Sequence, residues 1–269
     1  MKTTLLSSVL LMATMFYFRP FCFSQSAQKV ILSTEPQGVE VSTIVAQPPK
    51  SNIEKLKDFD PNIRKNAVIF LGIEQNSNNL PHLLKMLKDK NGEVRRVAIE
   101  ACVRSGSTKK VAPAILELLK VETEVGPLNT AINSLGQMKY TEALAEIKKN
   151  ASHPYPTVRT YSVKALSEYN DKETYPLIVE KLLDPAEGVR LESMKAVVKL
   201  NIKTAEPNLI KNLKYPMEII RREASKALGE TGSSSAKPEL LKLTQEKDMS
   251  VVLAAKEAIE KINKRSAGK

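Results

Sequence analysis

Residues 94–102 read Val94-Arg95-Arg96-Val97-Ala98-Ile99-Glu100-Ala101-Cys102, and the small residue at their centre, Ala98, organises the rest of the chain. It stands three places after an arginine and four places before a larger apolar residue. From Ala67 through Ala98, Ala131, Ser162, Ser193, Ala224 and Ala255 the same setting recurs, in steps of 31, 33, 31, 31, 31 and 31 residues. Four places after each comes Leu71, Cys102, Leu135, Leu166, Val197, Leu228 or Ile259. Residues four apart share one face of a helix, so each copy predicts a helix with an apolar stripe, here termed first-type.

About fourteen residues beyond each small residue a second-type helix is expected to open, led by Pro81, Pro113, Pro176, Pro207 and Pro238, with Leu144 in the copy that lacks proline. Proline suits a first helical turn, where its missing N–H has no intrahelical partner to lose. One such pair cannot bury both of its stripes, but stacked pairs join them into a continuous core. The expected fold is all-α: an α-solenoid, or superhelix, of about seven stacked antiparallel helix pairs. At the ends, Ser51 to Asp58 reads as a lone second-type helix capped by Ser51, and Met249 to Asn263 as a lone first-type helix.

Upstream of the repeats the sequence changes character. Met1-Lys2 is followed by a mostly apolar run from Leu5 to Phe18, then Arg19-Pro20 and the small residues Ser24-Gln25-Ser26. The run is shorter than the roughly 20 residues that cross a bilayer, so residues 1–26 read as a signal peptide and the chain as exported. Lipidation at Cys22 is the weaker variant of that reading, because Arg19-Pro20-Phe21 lacks the small residues a lipobox carries before its cysteine. Residues 27–50, broken by Thr34-Glu35-Pro36-Gln37-Gly38 and Pro48-Pro49, read as a linker, and 51–269 as the repeat domain. Removing the signal leaves Cys102 alone, so disulfides do not hold the fold, and a small apolar core residue explains that cysteine best.

The Val-Arg-x-x-Ala core, the Leu228-Gly229 ending and the proline-led second helix resemble HEAT repeats, and the short period is most similar to the phycobilisome-lyase class. The resemblance covers residues 51–264. It implies that second-type helices line a concave face, and that an acid at each turn pairs with an arginine of the adjacent unit. The candidates for that ladder are Arg64, Arg95, Arg159, Arg190 and Arg221, with Asp58, Asp89, His153, Asp184 and Tyr215 six places earlier. The third copy departs, carrying Gly126-Pro127-Leu128 where Val-Arg is expected.

Lys85, Glu117, Lys148, Glu180, Lys211 and Lys242 fall four places after each helix start and would form one row on that face. The row is either an ordinary solvated surface or a groove for an acidic or mixed-charge segment. Tyr155, Tyr161 and Tyr175, with Tyr140 and Tyr169, crowd into the centre of the chain and offer contact area for a partner.

The chain has 269 residues, 42% of them hydrophobic and 5% aromatic, with no tryptophan and a formal charge of +11. Such an excess favours anionic partners in general. Neither His82 nor His153 has a second ligand at metal spacing, and no phosphate loop or nucleophile–base motif is present, so no metal, cofactor or catalysis is expected. The leading expectation is an exported scaffold that binds a protein or peptide. A HEAT-like lyase or other modifying enzyme, with Glu117 or Glu180 as its acid, and a peripheral protein on an anionic membrane surface are the alternatives. Nucleic acid is disfavoured by export and by the lack of aromatics along the basic row.

Overall fold

The structure is a computed structural model that describes residues 50–267. The signal segment, Cys22 and nearly all of the 27–50 linker lie outside these residues. Fourteen α-helices follow one another, with no strand among the described residues: α1 Asn52–Lys55, α2 Pro61–Ile73, α3 Leu80–Met86, α4 Gly92–Ser105, α5 Thr108–Val121, α6 Val125–Gln137, α7 Leu144–Asn150, α8 Pro156–Tyr169, α9 Tyr175–Lys181, α10 Glu187–Leu200, α11 Glu206–Asn212, α12 Glu218–Thr231, α13 Lys237–Leu243 and α14 Met249–Ala267. The even-numbered helices are the first-type ones.

The core follows the two apolar stripes. Leu83, Ile115, Ile147, Ile178, Leu209 and Leu240 of the second-type helices are fully buried, opposite Cys102, Leu135, Leu166, Val197 and Leu228 of the first-type helices. Each such aliphatic side chain contributes on the order of 1.5–3 kcal/mol when fully removed from water. Ser162 and Ser193 take the small-residue position in α8 and α10 without leaving a buried hydroxyl unpaired, because each Oγ donates to the carbonyl four residues back, at 2.9 and 2.8 Å.

Each second-type helix packs mainly on the first-type helix that follows it, α1 on α2 through to α13 on α14. The terminal helices are therefore members of complete pairs rather than lone caps. Ser51 does cap α1, in a reciprocal capping box with Glu54. Four second-type helices start with proline in their first turn, but Pro113 lies inside α5. There the helix runs 14 residues, because it absorbs the three residues that elsewhere form a 3-10 turn before a seven-residue helix and continues four residues further, to Val121.

Candidate functional site

The first-type helices form a continuous row, α2 on α4 and so on to α14, whereas the second-type helices make no comparable contacts with one another. In a curved stack the more closely spaced row lies on the inside. The first-type helices therefore line the inner face and the second-type helices the outer one, which reverses the expectation from the family resemblance.

Close approach within the inner row is set by glycine. Five residues after the small residue come Gly72, Val103, Gly136, Ser167, Val198 and Gly229, and the three glycines face the next first-type helix. A methyl group on Gly72 would lie 2.7 Å from Ala101 Cβ, one on Gly136 2.6 Å from Ala165 Cβ, and one on Gly229 3.1 Å from Ala258 Cα. The three junctions with glycine, α2–α4, α6–α8 and α12–α14, are the tightest, and α10–α12, with Val198, is the loosest.

A ladder of arginines ties the units along one edge. Arg64 Nε and Nη2 donate to the Asp89 carboxylate, both at 2.7 Å, and Arg159 forks onto Asp184 at 2.8 and 2.7 Å. Arg95 forks onto Glu122 at 2.6 and 2.8 Å, and Arg221 reaches Glu246 at 2.8 Å. Each of these acids serves the arginine of the preceding unit, and where its own unit has an arginine the backbone carbonyl at that position accepts from it, as Asp89 O does from Arg95 at 2.8 Å and Asp184 O from Arg190 at 2.6 Å. Burial is the largest single influence and raises the carboxyls of Asp89, Asp184 and Glu122, but the arginine forks and backbone N–H donors together outweigh it and hold all three below their ordinary values.

Two rungs differ. Leu128, fully packed, replaces the arginine in α6, and its counterpart position holds His153, so donor and acceptor are lost together. Arg190 keeps its place but meets no carboxylate. It donates to Asn212 Oδ1 at 2.8 Å and lies 4.4 Å from the centre of the Tyr215 ring.

The inner face carries a groove of about 740 Å³ over α10, α12 and α14. Leu191, Met194, Val198, Ile219 and Ala227 form its floor, and Lys195, Lys199, Lys226, Glu223, Glu230, Glu257 and Lys261 its walls. Most of these charges are already paired: Lys199 with Glu168 at 2.7 Å, Lys226 with Glu223 at 2.9 Å and Lys261 with Glu230 at 2.7 Å. Sequence reasoning passed over this groove because it assigned the inner face to the other helices. The available signal was Leu191 and Ile219, apolar residues at helix positions that the aliphatic stripe leaves to solvent.

The expected charge row lies on the outer face. Lys85, Glu117, Glu180, Lys211 and Lys242 are exposed there, but the member from α7 is Lys149, since Lys148 is half-buried. Without a proline to fix the register, α7 was read one residue early: Ile147, not Glu146, matches the buried Leu83. Glu117 pairs with Lys120 at 2.7 Å and Glu180 with Lys181 at 3.0 Å.

The tyrosines do not form one patch. Tyr155 and Tyr175 flank opposite ends of α8, a helix of 14 residues and so about 20 Å long, while Tyr161 lies half-buried on its inner face. Tyr169 serves the fold, donating to Tyr140 O at 2.9 Å and Leu135 O at 3.2 Å. Cys102 is buried, and burial pushes its thiol up to about 12, in keeping with a core residue. Among the described residues no group of three His, Cys, Asp or Glu could hold a metal ion, and no helix is long and apolar enough to cross a membrane.

The HEAT-repeat family matches residues 49–125 and 176–260, which together make up more than half of the chain. The chain belongs to the HEAT-repeat family. The unmatched stretch between them contains α6, the helix in which the arginine is missing. Among solved structures, the Escherichia coli protein YibA is 22% identical to this HEAT-repeat chain, with a TM-score of 0.62 over 79% of this chain and 80% of that one. An engineered protein is 18% identical, with a TM-score of 0.53 over 79% and 67% of the two chains. The complex of CpcE and CpcF of phycocyanin lyase from Nostoc sp. PCC7120 is 20% identical, with a TM-score of 0.49 over 86% of this chain and 99% of that one. At these identities the likeness extends to the fold alone. No curated protein matches the sequence.

Proposed function

We propose that this HEAT-repeat chain is an exported scaffold that binds a segment of a partner protein in the inner groove over α10, α12 and α14. The reading is carried by the groove itself: a mainly apolar floor with charges of both signs on its walls, mounted on a stack of neighbour-packed helices. The occupant it fits is an amphipathic segment with one or two aliphatic anchors for Leu191, Val198 and Ile219, flanked by charges that exchange with the paired lysines and glutamates. The signal-like residues 1–26 support export, and the mass of the mature N-terminus tests it. For binding, a displayed peptide library is selected on the full chain, on Ile219→Glu and on Lys85→Glu/Lys211→Glu. Enrichment of amphipathic peptides by the native chain, lost only in Ile219→Glu, is expected. Equal enrichment by all three overturns the assignment to the inner groove.

The outer face favours a second reading. Lys85, Lys88 and Lys211 have no carboxylate within ion-pair reach among the described residues, a basic surface suited to anionic lipid. Salt-sensitive binding to phosphatidylserine vesicles but not to phosphatidylcholine vesicles, weakened in Lys85→Glu/Lys211→Glu, is its signature.

A further inference from the structure

We propose that the α10–α12 junction is a hinge, about which the helices before and after it swing so that the inner groove widens and narrows. This inference rests on packing and needs no occupant in the groove. Three locks that hold the neighbouring α12–α14 junction are absent or altered here together.

The first is the glycine contact. Val198 stands where Gly72, Gly136 and Gly229 let the next helix approach, and α10 and α12 pack more loosely than any other pair in the inner row. Val198 remains partly exposed on the groove floor as a result.

The second is the inner ion pair. Six places after the small residue the last four inner helices carry Glu168, Lys199, Glu230 and Lys261. Lys199 bonds back to Glu168 at 2.7 Å and Lys261 bonds back to Glu230 at 2.7 Å, which zips α8 to α10 and α12 to α14. Lys199 and Glu230 have the signs to bridge α10 to α12, yet no ion pair joins them among the described residues.

The third is the arginine rung. At Arg64, Arg95 and Arg159 a bidentate fork onto a carboxylate fixes two atoms on each side, a geometry that resists rotation. Arg190 instead makes one bond to Asn212 Oδ1 and stacks on Tyr215, whose hydroxyl donates to Glu187 of α10 at 3.0 Å; these are single-point contacts, and a cation over a ring face tolerates tilt and sliding. The outer seam is still fastened. Asn212 is fully buried and donates to Leu182 O at 2.9 Å, and Asn208 donates to Val179 O at 3.0 Å. A seam tied on the outside by neutral bonds and unlocked on the inside has the mechanics of a door: its axis runs near Asn208 and Asn212, and its gap is the groove.

The test uses spin-label pairs at matched turn positions in the full chain, with Cys22 replaced by serine and the buried Cys102 left in place. Thr141 with Lys203 spans α6–α8 and α8–α10, and Lys172 with Ser234 spans α8–α10 and α10–α12; all four are exposed first residues of 3-10 turns. Double electron–electron resonance should give a broader distance distribution for 172/234 than for 141/203. That excess width should be lost in Val198→Gly/Tyr215→Asp, which restores the glycine and offers Arg190 a carboxylate. Equal widths in the native sequence overturn the proposal, and so does excess width that persists in the folded double variant. Should the double variant fail to fold, Tyr215→Asp alone is expected to narrow the 172/234 distribution, and an unchanged width then overturns the hinge.

Discussion

The junctions on either side of α12 show how one repeat unit can be fastened in two ways. Toward α14, Gly229 lies against Ala258, Lys261 reaches Glu230, Arg221 reaches Glu246, and Arg265 donates to Gly232 O at 2.8 Å. Toward α10 the same positions hold Val198, a Lys199 paired with Glu168 rather than with Glu230, and an arginine that faces an amide and a ring. α10 and α12 have 14 residues each, and α14 has 19, its added last turn carrying Arg265. Apart from that turn, what differs is three side chains at the contact, so much of the stiffness of a stack is written at its seams.

The contrast is most exposed to attack at the arginine rungs. Arg159→Ala strands Asp184, whose side chain is 3% exposed, and should cost about 3 kcal/mol in urea unfolding. Arg190→Ala leaves only a neutral amide behind and should cost about 1 kcal/mol. Similar losses from both would erase the distinction between the two kinds of rung.

A smaller effect is expected at the glycine contacts. Gly136→Ala forces a methyl group against the Ala165 backbone and should destabilise by about 2 kcal/mol, whereas Val198→Ala, at a site with room, should stay within about 0.5 kcal/mol. Thermal midpoints of the two variants measured side by side would show whether the spacing is tight where the geometry says it is.

Acid gives the mildest probe. The carboxyls of Asp89, Asp184 and Glu122 are held lower in the folded chain than in the unfolded one, so the unfolded state binds protons first as pH falls. Their stabilisation is complete above the ordinary carboxylate range and is lost as pH drops from roughly 4 through the lowered values. Asp89→Asn/Asp184→Asn should flatten the dependence of the midpoint between pH 6 and pH 3. The neutral Asn212 rung predicts that Asn212→Ala leaves that dependence unchanged.

How far the sequence could be read depended on whether a feature was local. The repeat, its period and the fourteen helices follow from apolar spacing, and the pairing of Arg64 with the turn acid of the adjacent unit, Asp89, is what the family resemblance implies. Which helix row faces inward does not follow, because it is set by how closely Gly72 and its counterparts approach the next unit, a distance between segments about thirty residues apart. The slip from Lys149 to Lys148 has a simpler cause, the absence of proline at the start of α7. Composition also grouped Tyr155 with Tyr175, and the length of α8 separates them.

Glycine at the inner contact has a consequence for the molecule as a whole. Neighbour-only packing places the six seams in series, like springs end to end, so their compliances add and the softest dominates the sum. Exchanging valine for glycine at position 198 alters one spring and leaves the other five untouched, so the bend of the entire body can be retuned from a single codon while every helix keeps its own core.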